Sequence, residues 1–411
     1  MPVKKTLQDL TQHLESKREE LRHWFATKRA EIPIPLYGSV DVRDSGFKVS
    51  VVDANQFPAG FNNVSAEDII GLSNLTREHI ERMHPNTTNV HIYPESHTRN
   101  AGYVENLITL KKILSTAGYT VTVGSPNLGA YGSLDGLTAP LALDYCTADS
   151  EDNLIVEGMG KPDLVILNND LTSGMLPGLG IATVSPPPQM GWHQRRKSDH
   201  FAALQPYCEE VSKLLGIDSW LLLPLWFVSE DKCLEEDECL EKLVVDIDHC
   251  LSMIQEKYDE YGIDEQPHVF VKNDRGTYGL GILTITSGDQ LMNLSKRKLH
   301  KLTYGKGGAM AENFLIQEGI PTALQWQGSP IEPVVYLVDG EAASWFYRIN
   351  TKKDKYANLN SPSAQFINQD ELLASGDDCI TAHAEGWHAL VAELSMLALG
   401  AELAAYQGGD S

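Results

Sequence analysis

Residues 268–285, HVFVKNDRGTYGLGILTI, constrain what this chain can fold into more than any other stretch. An apolar run through Val269, Phe270 and Val271 reads as a strand and carries Lys272 at its buried edge. A loop with glycines at Gly276, Gly279 and Gly281 follows, and then a second apolar strand begins. Strand, glycine loop and strand together make a flap. Glycines let a backbone approach a polyphosphate and aim N–H groups at it, while a lysine ammonium supplies a compact counter-charge. The loop is not a P-loop, because it lacks GKS or GKT and a following helix, and it is not a dinucleotide fingerprint, whose glycines lead into a helix. Spacing alone leaves a plain bulged hairpin equally open.

The rest of the pattern is that of an α/β protein. Helical spacing over Leu7–Ala30 predicts a leading helix that ends near Pro33 and Pro35. Strands are predicted at Phe47–Val52, Val90–Tyr93, Thr120–Val123 and Leu164–Leu167, with a helix over Ala101–Gly118 completing a β-α-β unit. Ligands of an open α/β sheet sit at the carboxyl ends of its strands, which draws notice to Asn168, Asn169 and Asp170. The run Pro186, Pro187 and Pro188 marks a boundary. Two domains are therefore expected: an open α/β substrate domain over 1–187, and a nucleotide-binding α+β region over 188–411 with a small lid near 200–285. Helices are expected at Lys197–Leu215, Glu235–Glu260 and Ala384–Tyr406, and strands at Asn313–Gln317, Val334–Leu337 and Ser344–Ile349.

Composition narrows the class of partner. A net charge of −23 over 411 residues repels a phosphate backbone and an anionic membrane surface, so neither nucleic acid nor membrane is expected. The longest apolar run, Trp220–Val228, is far shorter than the roughly 20 residues a membrane span needs. Met1–Leu14 has neither an apolar core nor a cleavage site of the signal-peptide kind. Six cysteines without a CxxC pair point to a reducing compartment, hence the cytoplasm. A homo-oligomer is left open.

Downstream of the flap, Gln317 and Glu318 close a strand, where their backbone groups are placed to meet an adenine edge. YLVDGE and YRIN follow as two strands joined at Asp339 and Gly340, and then comes KYANLNSPS. This order resembles the ATP-grasp superfamily, in particular its glutathione-pathway ligases. The resemblance implies that Lys272 binds phosphate, that Gly276, Gly279 and Gly281 form the flap, and that Gln317 and Glu318 form the adenine hinge. It also makes Asn358 a phosphate or metal contact, and Lys197, in RRKSDHF, a second nucleotide lysine whose plain reading is a solvated helix start.

Over nearly its whole length, through VDVRDSGFKVSVVDANQFPAGFNN, PESHTRNAGYVEN, GWHQRRKSDHF and VFVKNDRGTYGLGI, the chain resembles a small family of bacterial glutamate-cysteine ligases of proteobacterial type. The resemblance implies ATP and Mg²⁺ as cofactors, glutamate and cysteine as substrates, and γ-glutamylcysteine as product by way of a γ-glutamyl phosphate. Arg348 is the candidate for holding a carboxylate or phosphate in its planar fork, with a surface ion pair as the other reading. Arg43, Asn62, Arg99 and Asn100 recur at strand ends and are the candidates for the amino-acid site, although each alone suits a turn or cap. Typical ATP-grasp enzymes hold Mg²⁺ through acidic residues on late strands that end with a Glu-x-Asn motif, and no such motif follows the last helix of this chain. Asn358 and Asn360, with Glu332 or Asp339 supplying carboxylate, are the expected substitutes. The alternatives are another ligase of the same superfamily, such as a glutathione synthetase-like enzyme, and a non-catalytic nucleotide-binding regulator.

Overall fold

Runs of β-branched and aromatic residues separated by turn residues become the strands. The structure, a computed structural model, describes residues 5–180, 183–230, 234, 237–275, 282–304, 311, 313–374 and 382–408. In chain order the main strands begin with β1 (Tyr37–Asp44), β2 (Val49–Asn55), β3 (Asn89–Pro94), β4 (Thr120–Val123), β5 (Leu164–Asn168), β6 (Val184–Ser185) and β7 (Trp226–Ser229). They continue with β8 (Val269–Asn273), β9 (Leu283–Ile285), β10 (Phe314–Glu318), β11 (Ser329–Val338), β12 (Glu341–Ile349) and β13 (Gln365–Asn368). The main helices are α1 (Thr11–Ser16), α2 (Arg18–Glu31), α3 (Ile69–Met83), α4 (Ala101–Thr116), α5 (Lys197–Leu215), α6 (Asp237–Tyr261) and α7 (Ala382–Gly408).

These strands form three larger sheets in a mixed α/β fold. A parallel sheet runs in the order β6-β5-β3-β4, with α4 carrying the chain from β3 to β4 as the β-α-β reading expects. An antiparallel sheet runs β7-β10-β8-β9. Its β8–β9 pair, with Val269 opposite Ile285, forms the arms of the expected flap. The flap glycines Gly276, Gly279 and Gly281 lie outside the described residues.

The central sheet runs β13-β12-β11-β1-β2 and is antiparallel throughout. Here the expected division at 187/188 does not coincide with a break in the fold. β1 and β2 precede it, β11 to β13 follow it, and β1 pairs with β11 from Tyr37 opposite Val338 to Asp41 opposite Val334. Such pairing between distant segments leaves no mark in local composition. The sequence reading does not assign β1, although Ser39, Val40, Asp41, Val42 and Arg43 alternate polar and apolar at strand period; the strand is buried along its whole length. The reading also does not assign α3, β6, β7 or β13.

α7 anchors the core. Its segment Glu385–Gln407 is long and apolar enough to cross a membrane by length and composition, yet 67% of an 18-residue apolar window within it is buried in the protein. Val391, Leu394, Leu397 and Leu399 are fully buried in the largest apolar cluster, and the helix packs on β1, β2 and α5. An all-round apolar helix of this kind belongs in the interior.

Candidate active site

Two adjoining cavities meet on the face of the central sheet. The larger, about 440 Å³, lies between that face and the carboxyl ends of β3 and β5. Asn62 and Asn63 line it from the segment after β2, Asn100 from the start of α4, Asn168 from the end of β5, and Glu95 and Asp170 from just beyond β3 and β5. The smaller, about 20 Å³, lies beside Lys197, Lys272, Glu332 and Asn358. Asp41, Asp53, Arg348 and Asn360 line both, so they form the wall between them.

The wall is built by strand register. Asp41 and Asp53 face each other across β1 and β2, and Glu332 faces Arg348 across β11 and β12. Arg348 Nη1 donates to Asp41 Oδ2 at 2.9 Å and to Glu332, and its Nη2 donates to Asp41 Oδ1 at 3.2 Å. Arg348 Nε is buried with no hydrogen-bond partner among the described residues. Burial lifts the Asp41 carboxyl above its ordinary range despite the neighbouring Arg348. Burial acts the same way on Asp53, but the ammonium groups of Lys197 and Lys272 outweigh it and hold that carboxyl below its ordinary range.

Both expected lysines reach this wall. Lys197 Nζ pairs with Asp53 Oδ1 at 2.8 Å and lies 4.5 Å from the centre of the Trp192 ring. Lys272 Nζ donates to Gln317 Oε1 at 2.6 Å and to Val52 O at 3.1 Å. Burial lowers the Lys272 pKa to about 8, against the pull of Asp53.

Asn62 and Asn100 line the large cavity as the sequence reading expects of an amino-acid site, and Asn100 also caps α4 by accepting from Tyr103 N. Other expected residues are placed otherwise. Arg43 is consumed inside the fold: it pairs with Glu332 and donates to the carbonyls of Ile320, Lys355 and Ala357. Arg99 is exposed and does not line the cavity. Gln317 and Glu318 do not form a free hinge, because β10 is a central strand paired with β7 on one side and β8 on the other. The Glu318 carboxylate is likewise taken up by Lys48 at 2.9 Å, Trp220 Nε1 at 3.1 Å and Leu225 N at 2.8 Å. Asp339 sits at the β11–β12 turn, paired with His79 and Arg82 and outside both cavities.

Asp53 and Trp192 are absent from the expected set. Nothing local marks Asp53 within VVDAN, whereas its place opposite Asp41 follows from the β1–β2 register. For Mg²⁺ the described residues offer no cluster of three or more His, Cys, Asp or Glu. Glu332 is held by two arginines, Asp41 by Arg348 and Asp53 by Lys197, and Asn358 and Asn360 stand on the same cavity. That sparse oxygen set suits Mg²⁺, which keeps waters and substrate phosphates as most of its ligands.

Comparison with known proteins bears on this arrangement. The model of the family described as glutamate-cysteine ligase matches residues 11–403. No curated protein matches the chain in sequence. Among solved structures it is similar to a "putative gamma-glutamylcysteine synthetase" from Methylobacillus flagellatus KT, at 31% identity and a TM-score of 0.89, over 99% of this chain and 98% of that one. A glutathione synthetase-like effector from Globodera pallida in apo form matches at 10% identity and a TM-score of 0.38, over 87% of this chain and 79% of that one. D-alanyl-alanine synthetase A from Vibrio cholerae matches at 11% and 0.31, over 74% and 81%. Scores that low carry no argument. The family match, spanning nearly the whole chain, does: this is an ATP-dependent ligase, and the chain belongs to the glutamate-cysteine ligase family.

Proposed function

We propose that the two adjoining cavities are the active site of γ-glutamylcysteine formation, with the amino acids in the large cavity and the triphosphate tail entering beside Lys197 and Lys272. The observation that carries this reading is the convergence of Lys197, Lys272 and Arg348 on the wall shared by the two cavities. In the proposed reaction an oxygen of the glutamate γ-carboxylate attacks the γ-phosphorus of ATP. The bond to the β-phosphate breaks, ADP leaves, and an acyl phosphate remains. The cysteine amine then attacks the acyl carbon, inorganic phosphate departs and the nitrogen sheds a proton.

Both steps build negative charge on phosphoryl oxygens, and preorganised cations in a water-poor site stabilise that charge most strongly. Lys272 and Lys197 take that role, and the unpartnered Arg348 Nε–H orients a carboxylate or phosphate at the wall. Mg²⁺, held at Asp53 with Asn358 or Asn360, would neutralise further phosphoryl charge. An ATP-grasp-like ancestry fits this layout, with the antiparallel β7-β10-β8-β9 sheet as the lid over the nucleotide. The described cysteines Cys146, Cys208, Cys239 and Cys250 are free thiols, which suits the cytoplasm as the working compartment.

A product assay with ATP, Mg²⁺, glutamate and cysteine tests the reading. ADP, phosphate and a γ-linked dipeptide are expected in equal amounts. Release of AMP, or turnover indifferent to either amino acid, would reject it.

A further inference from the structure

Behind the Lys197–Asp53 pair stands a carboxylate that lines neither cavity. Glu402 of α7 is buried and accepts from Arg195 Nε at 2.7 Å and from Arg195 Nη2 at 3.2 Å, a two-pronged contact. The remaining prong, Arg195 Nη1, donates to the carbonyl of Ala54 at 2.7 Å, one residue past Asp53. Glu402 Oε1 also lies 2.6 Å from His200 Nδ1, and His200 Nε2 lies 2.8 Å from Ser395 Oγ, again on α7. Lys197, which opens α5, sits between Arg195 and His200 in sequence. The Arg195 guanidinium and the Lys197 ammonium both lie over the ring of Trp192, at 4.9 and 4.5 Å. One carboxylate therefore ties the start of α5 and the end of β2 to the same helix.

We propose that Glu402 is a positioning residue for the ligase reaction: acting through Arg195 and His200, it fixes where Lys197 stands on the wall between the two cavities. The inference rests on the reading that phosphate enters beside Lys197. Burial disfavours the charged form of Glu402, but Arg195 and His200 outweigh it and keep the carboxyl below its ordinary range. A buried pair of this kind adds little net stability compared with an apolar substitute, and its clearest use is to specify geometry. Geometry matters at this place, because a misplacement of about 1 Å near reacting groups costs on the order of 100-fold in rate.

The test compares the full-length wild type with Glu402→Gln, Arg195→Lys, Lys197→Met and the double variant Glu402→Gln/Lys197→Met. Each is checked by thermal melting and then assayed for kcat and for KM of ATP. Glu402→Gln keeps the shape and removes the charge, so kcat/KM for ATP falls roughly 10- to 100-fold while the protein stays folded at the assay temperature. Arg195→Lys keeps the charge without the fork and shows the same loss. In the Lys197→Met background, Glu402→Gln changes kcat/KM by less than about 2-fold, because the group it positions is already gone.

Wild-type kinetics in both Glu402→Gln and Arg195→Lys, or losses that multiply in the double variant, would overturn the proposal. Lys197→Met with full activity would instead overturn the assignment of the phosphate site. An impaired Lys197→Met beside an unimpaired Glu402→Gln overturns the positioning role alone. Should Glu402→Gln fail to fold, Arg195→Lys alone and combined with Lys197→Met carries the same comparison.

Discussion

Replacing Lys272 with methionine separates a residue kept for ligand binding from one kept for the fold. The side chain is buried, and its pKa falls from the ordinary 10.5 to about 8, chiefly because burial disfavours the ammonium. A fall of that size corresponds to roughly 3 kcal/mol against the charged form in the folded state, taken as an upper bound. Its hydrogen bonds to Gln317 Oε1 and Val52 O offset part of this, at about 1 kcal/mol each. Lys272→Met keeps the aliphatic stem and leaves those two acceptors beside a 20 Å³ cavity, room for about one water. Stability at pH 7 should therefore change by no more than about 1 kcal/mol, whereas turnover should drop about 100- to 1000-fold with the loss of one charge contact to the phosphoryl group.

The pH dependence has a definite sign. Between pH 8 and 10.5 the unfolded chain binds a proton at Lys272 that the folded chain does not, so this group makes wild-type stability rise across that window. Below pH 8 the penalty is fully present, and the variant lacks the rise. Urea unfolding at pH 7 and pH 9.5, together with a coupled assay of ADP release, measures both effects. A loss of about 3 kcal/mol or more in the variant would make Lys272 a structural ion. Undiminished turnover would remove it from the phosphate site.

Arg43→Met removes one of the two arginines on buried Glu332 and leaves three interior carbonyls without their donor, so urea unfolding should show a loss of about 3–5 kcal/mol; a loss under about 1 kcal/mol would mean that Arg348 alone holds the carboxylate. Asp339→Asn weakens only a turn contact to the half-exposed Arg82 and to His79, so stability should fall by about 0–1 kcal/mol. The Mg²⁺ concentration giving half-maximal turnover should stay unchanged in that variant, and an increase would return Asp339 to the metal site. Burial lowers His91 and His268 from 6.5 to about 4, so the unfolded chain binds more protons in that interval and stability should fall as pH drops from 6.5 towards 4. Each histidine contributes up to about 1.4 kcal/mol per pH unit, and identical urea midpoints at pH 7 and pH 5 would contradict the burial argument.

The sequence by itself determined the elements whose signal is local. The β-α-β unit through α4 shows its periodicity and its terminating glycine within one window, and the boundaries expected for α5, β8 and β10 lie within a residue or two of those in the structure. Lys197 and Lys272 were legible as charged residues at the edge of regular elements, and Arg348 as the arginine of a strand. Only the tertiary structure decided what these charges meet. Arg43 and Glu332 stand 289 residues apart in the chain and pair because β1 docks on β11.

Glu318 reads as part of an adenine hinge at a strand end, whereas its strand lies between β7 and β8, and Asp53 has no signal apart from the β1–β2 register that sets it opposite Asp41. β1 alternates Val40 and Val42 with Ser39, Asp41 and Arg43 in the manner of a half-exposed strand, yet it is buried along its whole length. Its charges are tolerable only because their counter-charges and hydrogen-bond partners arrive from elsewhere in the fold. Periodicity is a property of neighbours in sequence, whereas the pairing of a buried charge is a property of neighbours in space.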